Sequence, residues 1–263
     1  MGNPGRLIVV LGLWLSLSSI AYAHHPVSEA GASRVEPSTH FETQFETASF
    51  DFGGREVGSW QVLSLRAEYS LVPRLSVSAN VPFALLNFSD GRAAMGLSDI
   101  ELAMNGLVYA SPHGGAIISS GLGVALPTGV AADGLSAGHY EGSAFVMLSS
   151  QVSIKLNLYA NGTYKHALGD GVVATDSLFP HNNREFDFSQ GAQWFWTPKT
   201  WTELVTREVI SWEDSWGDLW EAGFRVGFRV ADSFRLSSGV WLPLSGESRT
   251  LWRANLNLAW LID

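Results

Sequence analysis

Between Thr39 and Asp263 the chain repeats one unit about a dozen times: a run of roughly ten residues with apolar and polar side chains alternating, then a turn. Alternation with a period of two belongs to a strand whose two faces meet different surroundings, because successive side chains point to opposite sides. In the run from Phe234 to Leu242, Phe234, Leu236, Ser238, Val240 and Leu242 share one face. Arg235, Ser237, Gly239 and Trp241 take the other. One face suits lipid and the other water. Past the first residues, no run reaches the roughly 18 consecutive apolar residues that a membrane-crossing helix needs. The expected fold is therefore all-β, an antiparallel transmembrane β-barrel.

Twelve strands are expected, near residues 40–50, 59–71, 74–87, 97–110, 116–127, 140–152, 155–167, 184–196, 201–211, 219–230, 234–243 and 250–262. The connections alternate in length. Val72-Pro73-Arg74, Ser111 to Gly115, Ser153-Ile154, Thr197 to Thr200 and Ala231 to Ser233 are short, whereas those near 51–58, 88–96, 128–139, 168–183, 212–218 and 244–249 are mostly longer. In outer-membrane barrels the short turns face the periplasm, and an even strand number then brings both ends of the barrel to that side. Trp194, Trp196 and Trp201 bracket one short turn, and Trp252 and Trp260 sit on one face of the last strand; together they are expected to form interfacial girdles. Three related segments, Arg74 to Pro82, Gly121 to Pro127 and Arg235 to Pro243, each end in proline. Proline cannot donate to a strand ladder, so each should mark a rim or a bulge.

Residues 1–23 carry the pattern of a cleaved signal peptide: Arg6, an apolar stretch from Leu7 to Leu17, and Ala21-Tyr22-Ala23 ahead of the cut. Residues 24–39 then form a flexible periplasmic N-terminal segment and 40–263 a single outer-membrane barrel domain. The absence of cysteine excludes disulfides, thiolate metal sites and cysteine nucleophiles. A net charge of −9 argues against nucleic acid as a partner. His24 and His25 would sit at the new N-terminus as weak metal ligands, and a solvated tail is the preferred reading, so no metal or cofactor is expected.

The Val72 to Phe83 segment, Gly96-Leu97-Ser98-Asp99-Ile100-Glu101-Leu102, and Gly121 to Gly129 with its Leu126-Pro127-Thr128-Gly129 end carry a family resemblance. The sequence resembles the outer-membrane protein family named after the MetA pathway of phenol degradation, from about Trp60 onward. That resemblance implies a transporter-like outer-membrane barrel and, by association, small aromatic compounds as solutes.

The strand faces predict the lining of the lumen: Arg66, Glu68, Asp99, Glu101, Lys155, Lys165, Glu185, Asp187, Glu221, Arg225, Arg229 and Arg253, with Glu42 and Glu46 beside them. Such mixed charge fits either a polar conduit that selects solutes or cross-strand pairs in a filled interior. No catalytic residue is assigned. An outer-membrane lipid hydrolase would need an activated serine near a histidine, yet no strand places His and Ser two apart on one face, and no Gly-x-Ser-x-Gly elbow is read. The preferred function is a channel, without an enzymatic activity, for passive passage of small solutes, aromatic or amphipathic ones among them; its partners are outer-membrane lipid and the solute. The alternatives are a non-conducting structural or partner-binding barrel and, second, a lipid hydrolase.

Overall fold

The structure is a computed structural model, and it describes residues 37–51, 57–111, 115–168, 184–212, 219–246 and 250–262. The expected signal peptide, His24 and His25 lie outside the described residues, as does most of the expected 24–39 tail.

Strand segments alternate with turns throughout. They are β1 (Thr39–Asp51), β2 (Val57–Val72), β3 (Leu75–Phe88), β4 (Ala93–Leu97), β5 (Ile100–Ala110) and β6 (Ala116–Leu126). After a short 3-10 turn at Ala131–Asp133 follow β7 (Tyr140–Ser153), β8 (Leu156–Leu168), β9 (Arg184–Thr197) and β10 (Thr200–Ser211). The chain ends with β11 (Leu219–Arg229), β12 (Phe234–Gly246) and β13 (Thr250–Ile262). Apart from β4 and β5, which both pair with β3, each strand pairs antiparallel with its sequence neighbours, and β1 also pairs with β13 from Thr39 opposite Ile262 to Phe50 opposite Thr250. The sheet therefore closes on itself and leaves no long open edge for lipid to meet.

β4 and β5 together make one barrel strand. Both pair with β3, β5 along Leu75–Asn80 and β4 along Phe83–Asn87, and the break between them falls at Ser98-Asp99. Counting the two as one gives twelve strands, in agreement with the sequence. Pro82 sits on β3 opposite that break, where its missing N–H costs no ladder bond. Pro243 sits at the register shift between β11 and β12, and Pro127 follows the last residue of β6. All three prolines mark interruptions, as their chemistry requires.

The two faces separate as the alternation predicts. Phe41, Phe45, Leu63, Leu65, Leu256 and Leu258 point outward and are exposed, while Glu42, Glu68, Asn255 and Asn257 point inward and are buried. Trp194, Trp196, Trp252 and Trp260 lie on the outer surface. Trp201 does not: it is 2% exposed and faces inward, because the register shifts at Thr200/Trp201 as β10 leaves its turn. Its ring lies against Gly227 on β11. Trp241 covers Gly223, and Tyr159 covers Gly191, in the same way. A side chain at any of these glycines would strike the ring, so glycine lets a large aromatic lie flat along the inner wall.

Candidate functional site

The interior has a paired wall and an open one. On the paired wall, formed by β8 to β13 and β1, Lys165 Nζ donates to Glu185 Oε1 at 3.0 Å. Arg207 Nη2 donates to Asp187 Oδ2 at 2.6 Å, and its Nη1 to Glu221 Oε2 at 3.2 Å. Arg253 Nη2 reaches the same Glu221 oxygen at 3.1 Å, and its Nη1 lies 3.8 Å from Glu46 Oε2. Beside this chain of charges, Arg225 Nη1 donates to Glu203 Oε1 at 3.3 Å, and the Tyr159 hydroxyl donates to the same oxygen. The guanidinium carbons of Arg225 and Arg253 stand 5.2 and 5.0 Å from the Trp241 ring centroid. Charges placed in so little water hold only when paired and hydrogen-bonded, and these are.

On the open wall, formed by β2, β3 and β5 to β8, the side chains leave a cavity of about 230 Å³. Arg66, Glu68, Ser78, Asn80, Glu101, Asn105, Glu141, Ser143, Phe145, Asn161, Thr163 and Lys165 line it. Glu68 accepts from Ser76 Oγ at 2.7 Å, and Asn80 Nδ2 donates to Glu101 Oε2 at 3.4 Å. The Phe145 ring rests against Gly121, where a Cβ would strike it, and lines the chamber.

Toward each end the inward side chains are buried. At the end with short turns, the inward side chains of Ser76, Ser119 and Gln193 are fully buried, with His40 and Trp201 beside this level. Toward the long loops, Phe50, Ala84, Leu86, Phe88 and Leu135 form an apolar cluster joined by Trp60, Val62 and Ala94. At the rim that carries the long loops, Asp90 accepts from the Arg92 backbone N–H at 3.0 Å and from Arg92 Nε at 2.6 Å, and these bonds hold its carboxyl below the ordinary range.

Most of the expected lining residues face the interior, and the structure divides them. Glu185, Asp187, Glu221, Arg225 and Arg253 belong to the paired wall, and Arg66, Glu68, Glu101 and Lys165 to the chamber. Arg229 stands opposite Arg235 at the end of β11. Lys155 is exposed in the turn between β7 and β8, because the hairpin turns at residues 154–155 and the strand starts one residue later. Asp99 is not a lumen charge either. Its two oxygens accept from the Gly129 N–H at 3.3 Å and the Ala137 N–H at 2.8 Å.

Asp99 thereby fastens an inserted loop. Ser98 Oγ donates to the Leu135 carbonyl at 2.6 Å, Thr128 Oγ1 donates to the Ser98 carbonyl at 2.7 Å, and the Ile100 N–H donates to Thr128 Oγ1 at 3.0 Å. The Gly96–Leu102 and Leu126–Gly129 segments, far apart in sequence, are the two halves of this clasp. Gly129 is required at its centre, because a Cβ there would run into the Leu135 carbonyl. The clasp leads the chain from β6 back over the barrel mouth and sets Leu135, 3% exposed, into the apolar cluster.

Sequence reading also missed residues. Glu203, Arg207, Asn105 and Asn161 face inward without having been assigned. On β10 the inward row mixes Trp201, Glu203, Val205, Arg207 and Val209, so the polar face is not plain from alternation. The pentapeptide Gly134-Leu135-Ser136-Ala137-Gly138 does have Gly-x-Ser-x-Gly spacing, contrary to the expectation that the chain has none. It lies in the clasped loop and not on a strand-to-helix elbow; Ser136 is 4% exposed and its Oγ accepts the Gly138 N–H at 2.9 Å. Ser38, just before β1, places its Oγ 3.1 Å from His40 Nδ1. His40 is 2% exposed and faces inward, away from lipid. Among the described residues, no cluster of three acidic or histidine side chains forms a metal-sized site.

The fold is that of outer-membrane channels. The COG4313 outer membrane channel from Pseudomonas putida F1 superposes with a TM-score of 0.70 at 13% identity, over 92% of this chain and 98% of that one. The KdgM porin gives 0.56 at 7% identity, over 85% and 99%, and the NanC porin 0.56 at 8%, over 86% and 100%. No protein-family model matches the chain, and no curated protein matches it in sequence. The resemblance to the phenol-degradation family is thus without support from a family match; the likeness that stands is one of fold.

Proposed function

We propose that this chain is an outer-membrane channel through which small solutes pass without energy coupling. The observation that carries the reading is a closed barrel, apolar outside, whose charged interior keeps an unfilled polar chamber on one wall. The fold shared with porins supports it, and one of those barrels, KdgM, is known in complex with disordered oligogalacturonate. The short turns and both ends of the barrel face the periplasm in this reading, and no catalytic group is assigned. Small aromatic or amphipathic compounds fit the family resemblance and the Phe145 face of the chamber.

One observation favours a second reading, a barrel that conducts nothing. At the short-turn end the inward side chains of Ser76, Ser119 and Gln193 are at 0% exposure, the packing that a filled interior would show below the chamber. A lipid hydrolase gains nothing from Ser136 or Ser38, since both lie away from the lipid-facing surface. Liposome swelling separates the two main readings. Vesicles holding the folded barrel should swell in isotonic small solutes faster than protein-free vesicles, and identical rates would leave the non-conducting barrel.

A further inference from the structure

The chamber holds charges that no ion pair of the barrel bridges, with Glu42 opposite Arg66 and Lys165 lining the same cavity as Glu141, and their arrangement specifies a solute. Among the described residues Arg66, Glu101 and Glu141 enter no ion pair, whereas the charges of the opposite wall are bridged to one another. All three line the cavity of about 230 Å³. They lie in one cross-strand row: Arg66 opposite Asn80, Asn80 opposite Glu101, Glu101 opposite Ala125, and Ala125 opposite Glu141. With strands about 4.8 Å apart, the guanidinium is rooted roughly 10 Å from the first carboxylate, a gap that two long side chains reaching inward can narrow around one small molecule.

An independent feature also asks for a ligand. Asn105 is 8% exposed, lines this cavity, and its Oδ1 has no hydrogen-bond partner. Asn161 Oδ1, on the opposite side of the same cavity, is also without one. No protein group donates to either oxygen, so each is open to a donor that a ligand brings.

We propose that the chamber is a binding site for small zwitterions of the amino-acid type. The solute carboxylate pairs with Arg66, whose planar fork suits it. The solute ammonium is held by Glu101 and Glu141, and the Asn105 and Asn161 side chains turn their carbonyls toward it as further acceptors. Phe145 offers an apolar face to the remainder of the solute. A neutral polyol would leave all three charges without an ion-pair partner, and a singly charged solute would leave one end so.

The inference names the solute for the channel reading, and its test is kept separate from passage. Folded protein in detergent micelles is titrated calorimetrically with L-leucine, with isopentylamine, which lacks the carboxylate, and with 4-methylpentanoate, which lacks the ammonium. L-leucine should bind at least about tenfold more tightly than either analogue. Arg66→Gln should abolish the advantage of L-leucine over isopentylamine, and Glu101→Gln with Glu141→Gln its advantage over 4-methylpentanoate. Arg66→Lys, which keeps the charge, should retain a preference and serves if Arg66→Gln fails to show heat-modifiable gel mobility. Equal affinity for the three probes, no binding by folded wild type, or preferences that survive neutralisation would overturn the proposal. Binding without vesicle swelling would count against the channel reading alone, and swelling without binding against the zwitterion site alone.

Discussion

Arg207 is the hinge of the paired wall, since its guanidinium holds Asp187 on one neighbouring strand and Glu221 on the other. Among the described residues Asp187 accepts side-chain hydrogen bonds from this arginine alone, with Nε at 3.0 Å from each of its oxygens. Replacing Arg207 by methionine keeps the length and removes the charge, leaving a carboxylate in the interior without its cation. The loss should be about 3–5 kcal/mol of unfolding free energy, read by urea titration of the barrel in vesicles. Adding Asp187→Asn should recover part of it, and two additive effects would show that the pair is not coupled. The inward direction of Arg225 and Arg253 was legible because their outward neighbours Phe224, Val226, Trp252 and Ala254 are apolar. Partner choice was not legible, since alternation gives a face and no rotamer. Trp201 was misplaced for a similar reason: a tryptophan beside a turn reads as an interfacial anchor unless the register shift and the glycine opposite it are known.

At the scale of elements, the twelve strands were legible because each has one strongly apolar face, and the last strand is the clearest. Leu256 on β13 is 47% exposed toward lipid, so Leu256→Arg should cost roughly 2–4 kcal/mol and lower the folded fraction after refolding into vesicles. Thr163→Arg, projecting into the chamber, should leave that fraction near wild type; equal losses would mean that the faces are misassigned. The break in the fourth barrel strand was illegible, because its cause lies about thirty residues further on in the loop that Asp99 holds. Gly129→Val should dislodge this loop without opening the barrel. Added protease should then cut between residues 130 and 138 several times faster than in wild type, with heat-modifiable mobility unchanged. Leu135→Ala should act in the same direction, removing a side chain whose burial is worth about 2–5 kcal/mol. Resistance of both variants to cleavage would contradict the clasp.

For the whole molecule, closure between the first and last strands is what turns a sheet into a lumen. Thr43 and Leu258 stand directly opposite on the outer face, at a spacing that antiparallel neighbours share with disulfides. Because the chain has no native cysteine, Thr43→Cys with Leu258→Cys should cross-link within one chain on oxidation, seen as a mobility shift that reductant reverses. Absence of that shift, or cross-linking between chains, would contradict the closed register. Barrel closure and size were readable from strand number and turn lengths. The division of the interior into a paired wall and an open chamber was not, since it depends on which inward side chains reach one another across the bore. The central claim is that this chamber lies on a path through the membrane. Single-channel recording of the folded barrel in a planar bilayer tests it most directly: discrete conductance steps whose reversal potential in a salt gradient shifts on Glu101→Gln with Glu141→Gln are the predicted result, and a silent bilayer containing demonstrably folded protein would contradict it.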